Sequence, residues 1–164
     1  EQSLRVSHGR TIDEQTQIVA KLFSDYSQVA AASANVKDSW FGTAYSVDEL
    51  ATDDGGANRW VGRPFYRKRL NAVMDVDMSS GILVMSYGEA TRLNVDPSKM
   101  VFLNGCGDAK DEIQVSKRRE LHKSPAMRAA GGEALRMAGI SNPNTEIDFF
   151  DIYSCFPVAV EVAW

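Results

Sequence analysis

The residues best suited to chemistry lie together near the end of the chain, in the run Tyr-Ser-Cys-Phe-Pro from Tyr153 to Pro157. This run, called the junction below, follows an apolar segment that predicts a strand, and proline is typical of the first turn of a helix. Open α/β sheets bind ligands where their strands end, and a helix start offers free N–H groups to an anion or an oxyanion. The alternative is that Cys155 is a small buried hydrophobe and Tyr153 a core ring.

Composition and charge limit the classes of protein to which the chain can belong. Its 164 residues are 44% hydrophobic and 24% charged, which is typical of a globular domain with a core. A net charge of -4, with both signs interspersed, argues against a nucleic-acid partner. No apolar run approaches the roughly 20 residues that span a bilayer, so no membrane partner is predicted. Cys106 and Cys155 have neither disulfide nor zinc spacing, which favours a reducing, cytoplasmic compartment and no metal.

Helix starts are the clearest local signals in the sequence. Three Ser or Thr residues are each followed three positions later by Glu, the pattern of a capping box: Thr11 with Glu14, Ser46 with Glu49, and Ser86 with Glu89. The first pair predicts an amphipathic helix over residues 12–32 with Ser24 on its outer face. Ser124 and Pro125 predict another helix start, and Gly139 a left-handed helix end.

Short apolar runs between the helices predict strands. These runs cover residues 81–86, 100–103 and 147–153, and their alternation with helices predicts a parallel or mixed α/β sheet. Gly131 and Gly132 lie inside a predicted helix, where each costs roughly 1 kcal/mol relative to Ala. We therefore expect another backbone or a ligand to approach the helix closely at this pair.

The order of these features resembles the thiolase family over essentially the whole chain. The features are a long helix, an irregular loop, Asn71-Ala72 with Asp77 before the run at 81–86, the helix from Ser124 to Gly139, and Asp148-Phe-Phe-Asp-Ile-Tyr-Ser-Cys-Phe156. Within this family the chain resembles the sterol-carrier-protein type of thiolase and the acetyl-CoA acetyltransferase-like proteins called thiolase-like protein type 1.

This resemblance implies an incomplete chain with a partial thiolase-like α/β fold. Residues 1–60 would be a mainly helical segment of the thiolase loop domain. Residues 61–164 would be the first part of the C-terminal catalytic domain, and a polar, glycine-containing break at residues 53–58 marks the boundary.

The resemblance also implies a segment beside the pantetheine arm of coenzyme A. In thiolases this segment ends in Asn-Ala-Ser-Gly and is followed by Asn-Asp-Gly-Ala-Ala. Asn71, Ala72 and Asp77 match this pattern, whereas Val73 replaces the Ser and Met74 the Gly. The implied coenzyme-binding positions are therefore Asn71, Ala72, Val73 and Asp77, without the polar contact that Ser makes.

The second family motif is Asn-Glu-Ala-Phe, or His-Asp-Cys-Phe in the sterol-carrier type, and its first residue helps hold a water in an oxyanion hole. Tyr153, Ser154, Cys155 and Phe156 occupy these positions. Cys155 and Phe156 follow the sterol-carrier type, but Tyr153 departs from both versions. A phenol, with an ordinary pKa near 10, is able to donate directly to an enolate oxygen or to act as a general acid.

The function implied by the resemblance is that of an acyltransferase that makes or cleaves carbon-carbon bonds in coenzyme A thioesters. It would bind acyl-CoA as substrate, hold no permanent cofactor, and act as a homodimer when complete. Its two reactive cysteines would lie outside these residues, so the isolated chain is expected to be inactive. The alternatives are a divergent coenzyme-binding protein or aldolase that does not catalyse thiolysis, and a structural or interaction fragment without a site.

Basic residues before the Ser124 helix leave two interpretations open. Arg118, Arg119, His122 and Lys123 either approach a phosphate of the coenzyme or form a solvated basic face.

Overall fold

The computed structural model describes residues 1–33, 41–77 and 79–163, and these are mixed helical with one small sheet. The helices are α1 (Gln2–Ser7), α2 (Ile12–Ala32), α3 (Val47–Ala51), α4 (Tyr87–Arg92), α5 (Pro125–Ala138), α6 (Pro143–Glu146) and α7 (Pro157–Ala163). The strands are β1 (Trp60–Gly62) and β2 (Tyr66–Arg67), and 3-10 turns cover Lys68–Leu70, Pro97–Lys99 and Val115–Lys117. None of the described helices has the length and apolarity needed to cross a membrane.

Capping boxes set the starts of α2 and α3, as predicted. The Thr11 hydroxyl accepts from the Glu14 N–H at 3.2 Å, and the Glu14 carboxylate accepts from the Thr11 N–H at 2.7 Å. Ser46 and Glu49 repeat the arrangement at 3.2 and 2.8 Å. Each box satisfies backbone donors that a helix start otherwise leaves without partners.

The start of α4 has only half of its predicted box. Ser86 accepts from the Glu89 N–H at 3.2 Å, but the Glu89 carboxylate pairs with Arg92 instead of the Ser86 backbone. The predicted helix exists and spans Tyr87–Arg92.

The buried face of α2 differs from the predicted one. Ser24, predicted on the outer face, is buried and its hydroxyl donates to the Tyr45 carbonyl at 2.7 Å. The core cluster consists of Val19, Ala20, Leu50 and Leu70. The prediction for Ser24 was wrong because the sequence around a helical Ser does not reveal that the backbone of a distant loop accepts a hydrogen bond from its hydroxyl.

Asn58 joins this core to the chain that leads into the hairpin. Its side chain is fully buried, and Nδ2 donates to the carbonyls of Glu49, Leu50 and Thr52 at 2.8, 3.2 and 2.9 Å. Its Oδ1 accepts from the Arg69 N–H at 3.1 Å. One side-chain amide therefore supplies hydrogen-bond donors to the carbonyls at the end of α3 and also holds the segment that follows β2.

The hairpin pairs β1 and β2 in antiparallel fashion, with Trp60 opposite Arg67 and Gly62 opposite Tyr66. The Arg67 guanidinium lies over the Trp60 ring, 4.1 Å from its centroid. The hairpin leads into the 3-10 turn at Lys68–Leu70, and Leu70 belongs to the core cluster.

The predicted strands at 81–86, 100–103 and 147–153 are not paired in the described part of the chain, where the only sheet is the β1–β2 hairpin. The prediction of buried, paired strands is therefore wrong for these residues. Leu83, Val101 and Phe149 are 89%, 96% and 89% exposed. An apolar run marks a strand only where a neighbouring segment supplies its hydrogen bonds and its cover, and no described strand lies beside these runs.

Helix α5 begins and ends as predicted. The Ser124 hydroxyl accepts from the Met127 N–H at 3.0 Å, and Pro125 occupies the first turn. At the other end Gly139 has a φ of 72°, a left-handed conformation that favours glycine, and the Ile140 N–H donates to the Leu135 carbonyl at 2.9 Å.

Close packing on α5 involves a different pair of glycines from the predicted one. A Cβ added to Gly131 or Gly132 would meet nothing within 4 Å among the described atoms, so no described backbone makes the expected close approach there, and an approach by a ligand stays a prediction. Instead, a Cβ on Gly105 or Gly107 would overlap the backbone carbonyl of an α5 alanine. The segment before α5 therefore lies flat on the helix because it carries glycines.

Candidate functional site

The two segments that the sequence predicts as a site are in direct contact. The backbone N–H of Ala72, after β2, donates to the carbonyl oxygen of Cys155 in the junction at 3.1 Å. Leu70 anchors the first segment in the core, and the buried Pro157 and Val160 of α7 anchor the second. Both partners of this hydrogen bond are thus held by packed elements.

Asn71 offers an unused acceptor beside this contact. Its Nδ2 donates to the Arg67 carbonyl at 2.6 Å, which orients the amide. Its Oδ1 is buried and has no hydrogen-bond partner among the described residues. A buried acceptor without a donor costs about 1–3 kcal/mol, so an N–H or O–H donor that uncovers this oxygen would remove that cost.

Phe156 is held by an aromatic contact with the hairpin. Its ring stacks on that of Tyr66, with centroids 5.4 Å apart and planes inclined by 26°. The Tyr66 hydroxyl donates to Glu1 Oε2 at 2.9 Å. Burial, and then the nearby Glu1 carboxylate, raise the pKa of Tyr66, so its hydroxyl stays a neutral donor.

Tyr153, at the start of the junction, is 79% exposed, and its hydroxyl makes no hydrogen bond within the described ranges. The alternative of a core ring is therefore wrong for this residue. The Ser154 hydroxyl donates to the Phe156 carbonyl at 3.3 Å, and Cys155 is a free, half-buried thiol. This part of the junction presents a phenol to solvent and keeps the thiol partly covered.

Val73 and Asp77 lie on the exposed continuation of the Asn71 segment. Among the hydrogen bonds of the described residues, only that of Ala72 links this segment to the junction. The structure thus brings Ala72 to residues 153–156, with Asn71 next to the contact, and leaves Val73 and Asp77 outside it.

A cluster that the sequence analysis missed lies behind the junction. Gln15 is fully buried, and its Nε2 donates to Glu1 Oε1 at 2.7 Å and to Glu161 Oε2 at 2.8 Å. Burial, and then the adjacent Glu1 carboxylate, raise the pKa of Glu161 to about 7. The available signal was Glu161 itself, a charged residue inside the otherwise apolar sequence of α7.

The basic residues before α5 line a cavity of about 980 Å³ between α1, the end of α7 and residues 111–128. The lining has mixed charge, since Lys123 pairs with Glu120 at 2.8 Å. The Asp111 carboxylate accepts from the Ser124 hydroxyl and from the Ala126 N–H. A carboxylate of the chain itself therefore occupies the start of α5, where an anion is favoured. A phosphate contact by Arg118, Arg119, His122 or Lys123 stays a prediction.

No metal site is evident in the described ranges, where no group of three or more His, Cys, Asp or Glu residues could hold an ion.

Comparison with solved structures supports a thiolase-like class for this fold. The chain is similar to a monomeric SCP2-thiolase like protein type 1 from Mycobacterium smegmatis, with 31% sequence identity and a TM-score of 0.79. The match covers 98% of this chain and 34% of that chain, so the chain spans about a third of the length of the structure it matches. The mixed helical structure with its small sheet is consistent with part of a thiolase-like α/β fold.

No protein-family model matches the sequence, and no curated protein matches it.

Proposed function

We propose that this chain is part of a thiolase-superfamily acyltransferase that condenses or thiolyses coenzyme A thioesters. The observation that carries the proposal is the hydrogen bond from Ala72 to Cys155, because it joins the two motifs on which the thiolase resemblance rests. The similarity to an SCP2-thiolase-like protein supports the same class independently of those motifs.

The proposed site consists of the Asn71–Ala72 segment and the junction. The pantetheine arm of coenzyme A would lie along Asn71 and Ala72, where an amide of the arm would uncover the buried Asn71 Oδ1 and donate to it. The exposed Tyr153 hydroxyl would donate to the thioester or enolate oxygen. The nucleophilic and proton-transferring cysteines would come from outside these residues, with no metal and no permanently bound cofactor, while Cys155 supports the site without reacting.

The exposed apolar runs support a longer protein. Residues 81–86 and 100–103 carry side chains suited to the inside of a sheet but exposed to solvent here. We propose that strands from the rest of a thiolase-like fold cover them, since the matched structure is about three times as long as the part that aligns.

Organisation, assembly and compartment are proposed on the resemblance. Residues 1–60 and 61–164 would belong to the loop and catalytic domains, and the Gln15–Glu161 hydrogen bond would cross between them. A homodimer is proposed for the complete protein, although the similar protein from Mycobacterium smegmatis is described as monomeric. Light scattering on the complete protein distinguishes the two states. The proposed compartment is the cytoplasm.

A second candidate function is favoured by Val73 and Tyr153, which depart from the thiolase pattern. It is a coenzyme-binding protein that does not catalyse thiolysis, or an aldolase in which Tyr153 is the acid. The test measures acetoacetyl-CoA cleavage and acetyl-CoA binding by the complete protein, with the 164-residue chain as an inactive control. Cleavage supports the acyltransferase, and binding without cleavage supports the second candidate. If the complete protein neither cleaves acetoacetyl-CoA nor binds acetyl-CoA, both candidates are contradicted.

A further inference from the structure

One buried amide brings together two carboxylates from distant parts of the sequence. Gln15 Nε2 donates to Glu1 Oε1 at 2.7 Å and to Glu161 Oε2 at 2.8 Å. Gln15 is fully buried, and the Glu161 side chain is only 10% exposed. The two acids therefore face one another around a single nitrogen atom in a region with little water.

Two cationic groups lie at this pair: Arg10 and the α-ammonium group on Glu1 itself. Arg10 Nη1 lies 3.7 Å from Glu161 Oε2 and donates to Gln15 Oε1 at 3.0 Å. Glu161 Oε1 is buried and accepts no hydrogen bond among the described residues. Two like charges at this separation disfavour each other, and a buried carboxylate oxygen without a donor is costly. A proton between the carboxyl groups removes both penalties.

We propose that Glu1 and Glu161 share one proton, and that this protonated pair fastens α7 and the junction to α2. Two contacts carry its effect to the junction. Glu161 lies one helical turn after Pro157, where the junction ends. Tyr66 donates from its hydroxyl to Glu1 and stacks its ring on Phe156. The inference concerns the position of the junction and holds whether or not the junction binds a coenzyme A thioester.

Loss of the proton leaves two negative charges on one amide, so α7 and the junction loosen as the pH rises. Burial and the Glu1 carboxylate raise the pKa of Glu161 from 4.5 to about 7 in the folded chain. The stability contributed by the proton is therefore complete below pH 4.5 and is lost as the pH rises through about 7. This direction is opposite to that of a carboxylate in a salt bridge.

Other charged groups face the pair or share its surroundings. Arg10 and Tyr66 contact it directly, and Glu1 also carries the α-ammonium group of this chain. The cavity beside Glu161 is also lined by His8 and His122, as well as by Asp111, Glu112, Glu120 and the basic residues of 117–128. Because histidine ordinarily changes charge between pH 5 and 8, the titrations are repeated with His8→Gln and His122→Gln together.

The first experiment is a carbon-13 NMR titration of the glutamate carboxyl groups in the chain. We expect the Glu161 signal to titrate near pH 7 and to move down by about one pH unit or more in Glu1→Gln. The double histidine variant should leave the Glu161 midpoint unchanged. A Glu161 midpoint between about 4 and 5, or one that Glu1→Gln does not move, would overturn the shared proton.

The second experiment follows the junction through the ring signals of Phe156. These should shift with the same midpoint as Glu161, and Tyr66→Phe should weaken that shift while the chain stays folded. In heat denaturation, Glu161→Gln should flatten the fall in Tm between pH 5 and pH 8, whereas Glu133→Gln, at an exposed pair with Arg136, should not. Phe156 signals that ignore the Glu161 titration would overturn the link to the junction.

Discussion

The backbone N–H of Ala72 donates a hydrogen bond to the carbonyl oxygen of Cys155 over 3.1 Å. Because Ala72 follows the hairpin and Cys155 precedes α7, this bond defines how the two candidate site segments face each other. A side-chain substitution at either residue keeps it, whereas removal of the Ala72 N–H breaks it.

Ala72→Pro is expected to lower the free energy of unfolding by about 1 kcal/mol or more, because it deletes the donor and leaves the Cys155 carbonyl without its partner. Urea denaturation measures the change. Ala72→Ser keeps the N–H and should stay within about 0.5 kcal/mol of the parent chain. Equal stability of the Pro and Ser variants would mean that the bond does not hold the junction.

The glycines next to α5 give a matched test of close packing. Gly107→Ala places a Cβ on the carbonyl of Ala130 and should destabilise the chain by about 1–3 kcal/mol through overpacking. Gly131→Ala meets nothing within 4 Å and should stabilise it by up to about 1 kcal/mol, since Ala favours helix. Thermal melting followed by circular dichroism compares the two, and the reverse order would contradict the packing described for α5.

Asn58→Asp should be among the most destabilising single substitutions in the described core. The new oxygen cannot donate to the carbonyls of Glu49, Leu50 and Thr52, so we expect a loss of about 3 kcal/mol or more. Asn144→Asp, at an exposed position, is the control. Chemical denaturation of both variants at pH 7 provides the comparison, and similar stabilities would show that Asn58 does not hold the end of α3.

The capping box of α2 predicts a pH dependence in the acid range. The N–H and hydroxyl of Thr11 lower the pKa of Glu14 below 4.5. The contribution of Glu14 is therefore present above pH 4.5 and is lost as the pH falls through its lowered value. Glu14→Gln keeps an acceptor but cannot titrate, so its helical signal should fall less between pH 5 and pH 2. Identical acid profiles for parent and variant would exclude this contribution.

Features decided within one helical turn could be predicted from the sequence. The Thr11–Glu14 and Ser46–Glu49 boxes and the cap at Gly139 involve residues only a few positions apart, so their pattern contains the whole interaction. The start of α2 followed directly from such a signal.

Features that depend on distant partners could not be predicted in this way. Whether Leu83 and Val101 are buried depends on strands that no local pattern supplies, and Ser24 is buried because the Tyr45 carbonyl lies above it. Within the candidate site, the sequence indicated the junction but not its contact with Ala72. Gln15 between two carboxylates also went unnoticed, because residues far apart in sequence form that cluster.

The central claim is that a coenzyme A thioester lies against the junction. Its most direct test compares the thiols of Cys155 and Cys106. Cys155 is half-buried within the junction, and Cys106 is an exposed thiol outside it. The measurement is the rate of iodoacetamide alkylation at Cys155 and at Cys106 in the complete protein, read by peptide mass spectrometry with and without acetyl-CoA. At a ligand concentration about ten times Kd, alkylation of Cys155 should slow by about tenfold while that of Cys106 stays unchanged. Unchanged alkylation of Cys155 with acetyl-CoA bound, or equal protection of both thiols, would contradict the account.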